Sequence, residues 1–341
     1  MNNNRIEWID SIRGIAILLV VMGHLSYTQY NENLKFAIYS FHMPMFFLLA
    51  GCTAELSIRR ASSLLGFIKN KFWVLFIPYA VWNFLPLPFA CIDDFVNYSF
   101  WKRFEIFISG RCNNGGLFWF LYTLFVFQCL FALYTWVEKK TSGALIRFGF
   151  VIMTFAILYT AKHLWSDDGS GFGLACQTYL FYLPFVSGIC MIKYKKFKSF
   201  LMNKWTISIF ILLTLYLLNI RYHIPHVSTL TRIAGIGVTV ILIMLIEKGQ
   251  IPHFDAWKKY LCAIGRHSMA IYIIHYTFVS TISIQFSDTL TQAAPSILFC
   301  VYLPLSVVIS VFCIMVSKII ETSPVLASVM LGKVKKSADK K

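Results

Sequence analysis

The chain has 341 residues, 58% of them hydrophobic and 13% charged, with 32 Phe and 17 Tyr. A soluble domain carries about twice that charged fraction, so this much apolar surface calls for lipid around it. The formal net charge of +16 does not point to nucleic acid, because Lys and Arg sit in short clusters between apolar runs of about 20 residues and no zinc-finger, RNA-binding or helix-turn-helix pattern is present.

Ten apolar runs read as transmembrane helices, roughly 9–29, 38–56, 72–92, 118–137, 148–165, 176–192, 205–222, 228–246, 262–283 and 296–319. The expected fold is therefore all-α: a polytopic transmembrane helix bundle of about ten helices. The N-terminal stretch to Trp8 is short and polar, and the first run carries Asp10 and Arg13 without a small-residue cleavage site. It reads as an uncleaved signal anchor. Asp10 and Arg13 are three apart and share a helix face. Arg13 and His24 are eleven apart, close to three turns, so they share a face at depths differing by ~16 Å.

The second run enters as Phe41-His42-Met43-Pro44, which puts His42 near the depth of His24. The loop after it holds Arg59, Arg60, Lys69 and Lys71. These residues either form an anion-binding mouth or simply mark the cytoplasmic side. The segment 93–117 contains Asp93, Asp94, Arg111, Cys112 and Gly115-Gly116 on the expected outer face. His163-Leu-Trp-Ser-Asp-Asp168 matches a His-x₄-Asp string used as a catalytic motif in some enzymes, but two fixed positions at an outer helix end are weak evidence. The nine Cys are scattered without paired spacing and read as small apolar fillers. Whether Cys112 pairs with Cys176 does not follow from the sequence. Arg232 lies inside the eighth run, and the ninth reads Gly265-Arg266-His267-Ser268 onward to His275.

With the N-terminus inside, 22 of the 31 Lys and Arg fall on inner segments and 6 on outer ones. Both termini are thus expected in the cytoplasm, with an even number of spans. One domain is expected over 1–332, followed by a disordered basic cytoplasmic tail over 333–341.

Ionisable groups inside a span are costly unless hydrated or paired. His24, His42 and His275 come out at one depth, which suggests a buried polar chamber. The alternative is three structural histidines, each bonded to a neighbouring helix. Arg suits a phosphate, and His suits a general base near neutral pH. The pair Arg13 and His24 thus points to a phosphorylated donor entering from the cytosol, with its reactive end reaching into the membrane.

At these residues the sequence resembles the acyltransferase 3 family of bacterial membrane acyltransferases. The resemblance runs through Arg13-Gly14 with His24, Phe41 through Phe47 to Gly51, Lys71 through Pro78-Tyr79, Trp119-Phe120-Leu121, and Ser268 through Tyr272 to His275. The opening and the Phe-His-Met-Pro stretch resemble the branch related to fucose O-acetylases. The resemblance implies acyl-coenzyme A, acetyl-CoA in the first instance, as cytoplasmic donor, with no metal. It implies transfer to a hydroxyl of a cell-surface polysaccharide sugar or its lipid-linked precursor, at the bacterial inner membrane. Arg13 and His24 become the functional pair, with Asp10 orienting Arg13 and His42 assisting. Arg59, Arg60, Lys69 and Lys71 are expected to help Arg13 hold the donor, and Trp119, Arg232 and His275 to meet the acceptor. One departure is visible. Where the family often has two Arg three apart, this chain has Lys71 and Val74.

Two other functions are compatible with intramembrane His and Arg. One is a transporter or flippase for a polar or anionic solute, though no internal repeat of the transporter kind is evident. The other is a different membrane acyltransferase class, with the same donor but another essential pair.

Overall fold

The computed structural model describes residues 6–25, 32–84, 99, 101, 118–141, 143–165, 179–219, 229–286 and 295–333. Every regular element among them is helical. In chain order these are α1 (Glu7–Leu25), α2 (Glu32–Ile58), α3 (Leu64–Lys71), a π-helical turn (Phe72–Phe76), α4 (Ile77–Phe84), α5 (Trp119–Lys140) and α6 (Ala144–Trp165). A 3₁₀ turn (Tyr179–Phe181) leads into α7 (Tyr182–Lys193), α8 (Lys195–Leu201), α9 (Lys204–Asn219), α10 (Thr229–Glu247), α11 (Phe254–Arg266), α12 (Ser268–Phe286), α13 (Pro295–Ile320) and α14 (Pro324–Leu331). Helices satisfy their own backbone polar groups, which is what hydrocarbon demands.

Among the described residues, six helical stretches are long and apolar enough to cross a membrane: Glu7–Leu25, Phe36–Ile58, Leu64–Trp82, Trp119–Lys140, Thr229–Glu247 and Phe299–Ile320. The bent pair Lys195–Leu201 and Lys204–Leu218, kinked by 52°, makes a seventh candidate. Leu145–Thr160, Tyr179–Lys193 and Ser268–Val279 are shorter apolar helices. A helix overlaps each of the ten expected runs.

Three boundaries differ from the sequence expectation. The third helical stretch starts at Leu64, so Lys69 and Lys71 lie on a helix rather than in a loop. Ser63 is the reason: its Oγ accepts from the Gly66 N–H at 3.0 Å, and a capped end starts a helix early. The ninth run is two helices broken at His267, with the amphipathic α11 preceding α12. The chain after α13 also forms a further helix, α14, capped by Ser323 and with Pro324 at its start. Residues 334–341 of the expected 333–341 tail lie outside the described residues, as do Cys112, Cys176 and the side chains of the His163–Asp168 string.

The chain divides into two compact units, one of residues 1–52 and 183–317 and the other of 53–182 and 318–341. In the first, α1 is the centre. It packs against α10, α11 and α12, and Ile12, Ile17, Val21 and Met22 are fully buried. The contacts of α1 with α11 and α12 keep one register. Glu7 pairs with Lys258, Ser11 Oγ meets Cys262 Sγ at 3.1 Å, Gly14 abuts Gly265, and the His24 ring lies beside His275. Each partner is 251 residues on, so the helices run parallel and in step over ~25 Å.

Two glycines make that approach possible. A Cβ on Gly14 would lie 2.2 Å from the Leu261 carbonyl oxygen, and one on Gly265 would lie 1.9 Å from that of Asp10. Small residues let membrane helices meet backbone to backbone. Gly51 and Gly188 do the same for α2 and α7, at 1.9 Å from Phe185 O and 2.0 Å from Leu48 O.

In the second unit α3, the π-turn, α4, α5 and α14 pack together. Phe72 stacks on Phe76 with centroids 5.0 Å apart, and Phe125 lies 5.3 Å from Phe76. The Trp82 indole N–H donates to the Met330 carbonyl at 2.9 Å. Gly332, at φ 63°, closes α14 against the Val74 carbonyl.

Candidate active site

The histidine level expected from depth counting is present in the first unit. The His24 ring centroid is 5.1 Å from that of His275, 5.9 Å from Tyr276 and 6.4 Å from Tyr39. Tyr39 lies 4.9 Å from His42, so it stands between the two imidazoles of α1 and α2. Three helices thus bring three imidazoles and two phenols into one cluster. The phenols were not foreseen. Their signal was position: Tyr39 stands one turn before His42, and Tyr276 adjoins His275.

Backbone contacts fix two of the rings. His42 Nδ1 lies 2.7 Å from the Ile38 carbonyl oxygen. His275 Nδ1 lies 3.0 Å from Ile271 O and 2.7 Å from Tyr272 O. Carbonyls only accept, so each Nδ1 carries the proton and donates it. The neutral ring then presents Nε2 as a lone pair. His275 is 2% exposed, and its Nε2 has no hydrogen-bond partner among the described residues. Tyr272 flanks it, with centroids 6.1 Å apart.

α1 supplies the rest. Its part-exposed positions beyond Trp8 are Asp10, Arg13, Ile15, Leu19 and His24. At 3.6 residues per turn, Asp10, Arg13 and His24 fall on one side and Ile15 and Leu19 on the opposite side. Between Arg13 and His24 the same side carries Ile17, Val20 and Val21, all buried. The polar face is therefore accessible at two depths, with an apolar packed stretch between. At the Arg13 end, the charges of Arg13 and Lys198 both act on buried Cys52. Lys198 also donates to Glu247 at 2.7 and 2.9 Å. Arg232 is buried on α10 and its charge acts on His42.

The remaining expected site residues belong to the second unit. Arg59 is held by Glu55, Nε to Oε1 at 2.8 Å. Arg60 and Lys69 are exposed. Lys71 Nζ lies over the Phe67 ring at 5.1 Å. Trp119 starts α5 and packs on Phe181, with centroids 5.6 Å apart. Among the described residues no group of three or more His, Cys, Asp or Glu is arranged to hold a metal ion.

The model of the acyltransferase domain family (acyltransferase 3) matches residues 6–315. The chain belongs to this family. Family and several apolar helices together mark it as a multi-pass membrane protein. The chain is also similar to "Nodulation protein NolL" of Sinorhizobium fredii, with 31% identity over 148 residues, 40% of this chain and 39% of that protein. The protein of the same name from Mesorhizobium japonicum is 25% identical over 182 residues, 50% of this chain and 48% of that protein. The chain spans less than half the length of the curated relatives it matches. No solved structure matches.

Proposed function

We propose that the protein is an O-acyltransferase, with acetyl the first group to test, that carries an acyl group from cytoplasmic acyl-CoA to a hydroxyl of a bacterial surface-polysaccharide sugar or its lipid-linked precursor. In this reading both termini are cytoplasmic and about ten spans cross the inner membrane. His24 is the general base. It takes the proton of the acceptor hydroxyl as that oxygen bonds to the acyl carbon. The thioester C–S bond breaks, and the proton leaves with the coenzyme A sulfur. Arg13 positions the donor, with Asp10 orienting it. Arg59, Arg60, Lys69 and Lys71 contribute positive charge for the donor phosphates, Lys71 standing where the family often has an Arg. His42 supports the base through Tyr39, and Trp119, Arg232 and His275 serve the acceptor.

The observation that carries the reading is the grouping of His24 with His275, Tyr39 and Tyr276 on the same α1 face as Arg13, in a chain of an acyltransferase family. The test is transfer of labelled acetyl from acetyl-CoA in membranes containing the protein. Mass spectrometry of surface polysaccharide from cells with and without the gene should accompany it. A gain of one acyl group on one sugar is expected, with His24→Ala and Arg13→Ala both inactive. Full activity in His24→Ala sinks the assigned base. Solute movement without any acylated product sinks the reaction class.

A further inference from the structure

The protonation pattern of the cluster narrows the acceptor. His275 spends its one proton on two backbone carbonyls, so its Nε2 is a buried lone pair awaiting a donor. An acceptor atom left so costs its desolvation unless a ligand or water fills it. The His24 ring stands 5.1 Å away, centroid to centroid, and as general base it also needs a proton from the ligand. A hydroxyl has one proton. The hydroxyl that gives its proton to His24 cannot also donate to His275.

We propose that His275 receives, at Nε2, a hydrogen bond from a second hydroxyl of the acceptor. The acceptor is then a polyol with a free hydroxyl neighbouring the one that is acylated, held across the two rings. His275 is a substrate-positioning residue, and simple alcohols or sugars without that neighbour are poor acceptors. At His275 the wall accepts a hydrogen bond, which a hydroxyl supplies and an ionised carboxylate or phosphate oxygen does not. This inference rests on the base role of His24.

The experiment uses the full chain in membranes, labelled acetyl-CoA, and surface carbohydrate from cells lacking the gene, de-O-acylated, as the acceptor probe. His275→Ala is expected to lower kcat/KM for the acceptor roughly 10- to 100-fold and to leave the acetyl-CoA KM unchanged. His275→Gln places an amide oxygen near the Nε2 position and is expected to restore most of the loss, whereas His275→Phe is not. Nuclear magnetic resonance of the product should find a free hydroxyl on the carbon next to the acylated one. An active His275→Ala, a Gln variant no better than Phe, or an acylated position with no free neighbouring hydroxyl overturns the proposal. If His24→Ala is inactive while His275→Ala is not, only this inference falls. If His24→Ala stays active, or the wild type transfers nothing, the proposed function falls and takes this inference with it.

Discussion

Gly265→Ala tests how the cluster is held together. A Cβ at this position would sit 1.9 Å from the Asp10 carbonyl oxygen, 2.8 Å from its carbon and 2.9 Å from the Gly14 nitrogen, where ordinary contact begins at 3.4 Å. All three atoms are backbone, so no side chain can turn away. The α1–α11 pair must part by about 1.5 Å to restore ordinary contact. Overpacking of this kind destabilises by about 1–3 kcal/mol, and Ala in place of Gly within a helix returns up to ~1 kcal/mol. The net effect leaves the protein folded. The same register that seats Gly265 on Gly14 seats His275 beside His24 ten residues on, so the displacement reaches the site. A misplacement of about 1 Å costs on the order of 10²-fold in rate. Labelled acetyl transfer in membranes should therefore fall about 100-fold, while thermal unfolding of the purified protein shifts by only a few degrees. Gly149→Ala is the control, because a Cβ there meets nothing within 4 Å; it should leave both measurements unchanged. Wild-type transfer in Gly265→Ala would refute the claim that this contact sets the site.

Gly188→Ala drives a Cβ to 2.0 Å from the Leu48 carbonyl and should lower the thermal midpoint by an amount similar to Gly265→Ala. Arg13→Lys keeps the charge but loses the planar fork; donor KM in the acetyl transfer assay should rise about tenfold. His42→Phe keeps a ring beside Tyr39 but removes the imidazole nitrogens and the donor to Ile38, so kcat should fall while donor KM holds. Trp82→Phe deletes the hydrogen bond to Met330, a loss of about 0.5–1.5 kcal/mol. Faster tryptic cleavage at Lys333 would report the loosened α14.

The sequence by itself determined the class of the molecule. Hydropathy and charge placement require helices in lipid, and a helix overlaps every expected run because an apolar stretch in hydrocarbon has no other way to satisfy its backbone. The common face of Asp10, Arg13 and His24 also followed from spacing alone, because position around one helix is a local property. The shared depth of His24, His42 and His275 was legible by counting residues, and His24 does lie beside His275.

What only the tertiary structure decided is which surfaces meet. Mean hydropathy does not separate a helix wrapped by others from one that faces lipid, since both are apolar all round. α1 is 72% buried over its span and the Phe299–Ile320 stretch only 28%, yet both read as membrane helices. The parallel register of α1 with α11 and α12 depends on glycines 251 residues apart, a contact no local window contains. The placing of Tyr39 between two imidazoles follows from that packing, whereas the backbone bonds of His42 and His275 are local to their own helices. A cluster of rings becomes a site when each helix's own carbonyls fix which nitrogen carries the proton and the packing of helices brings the remaining nitrogens together.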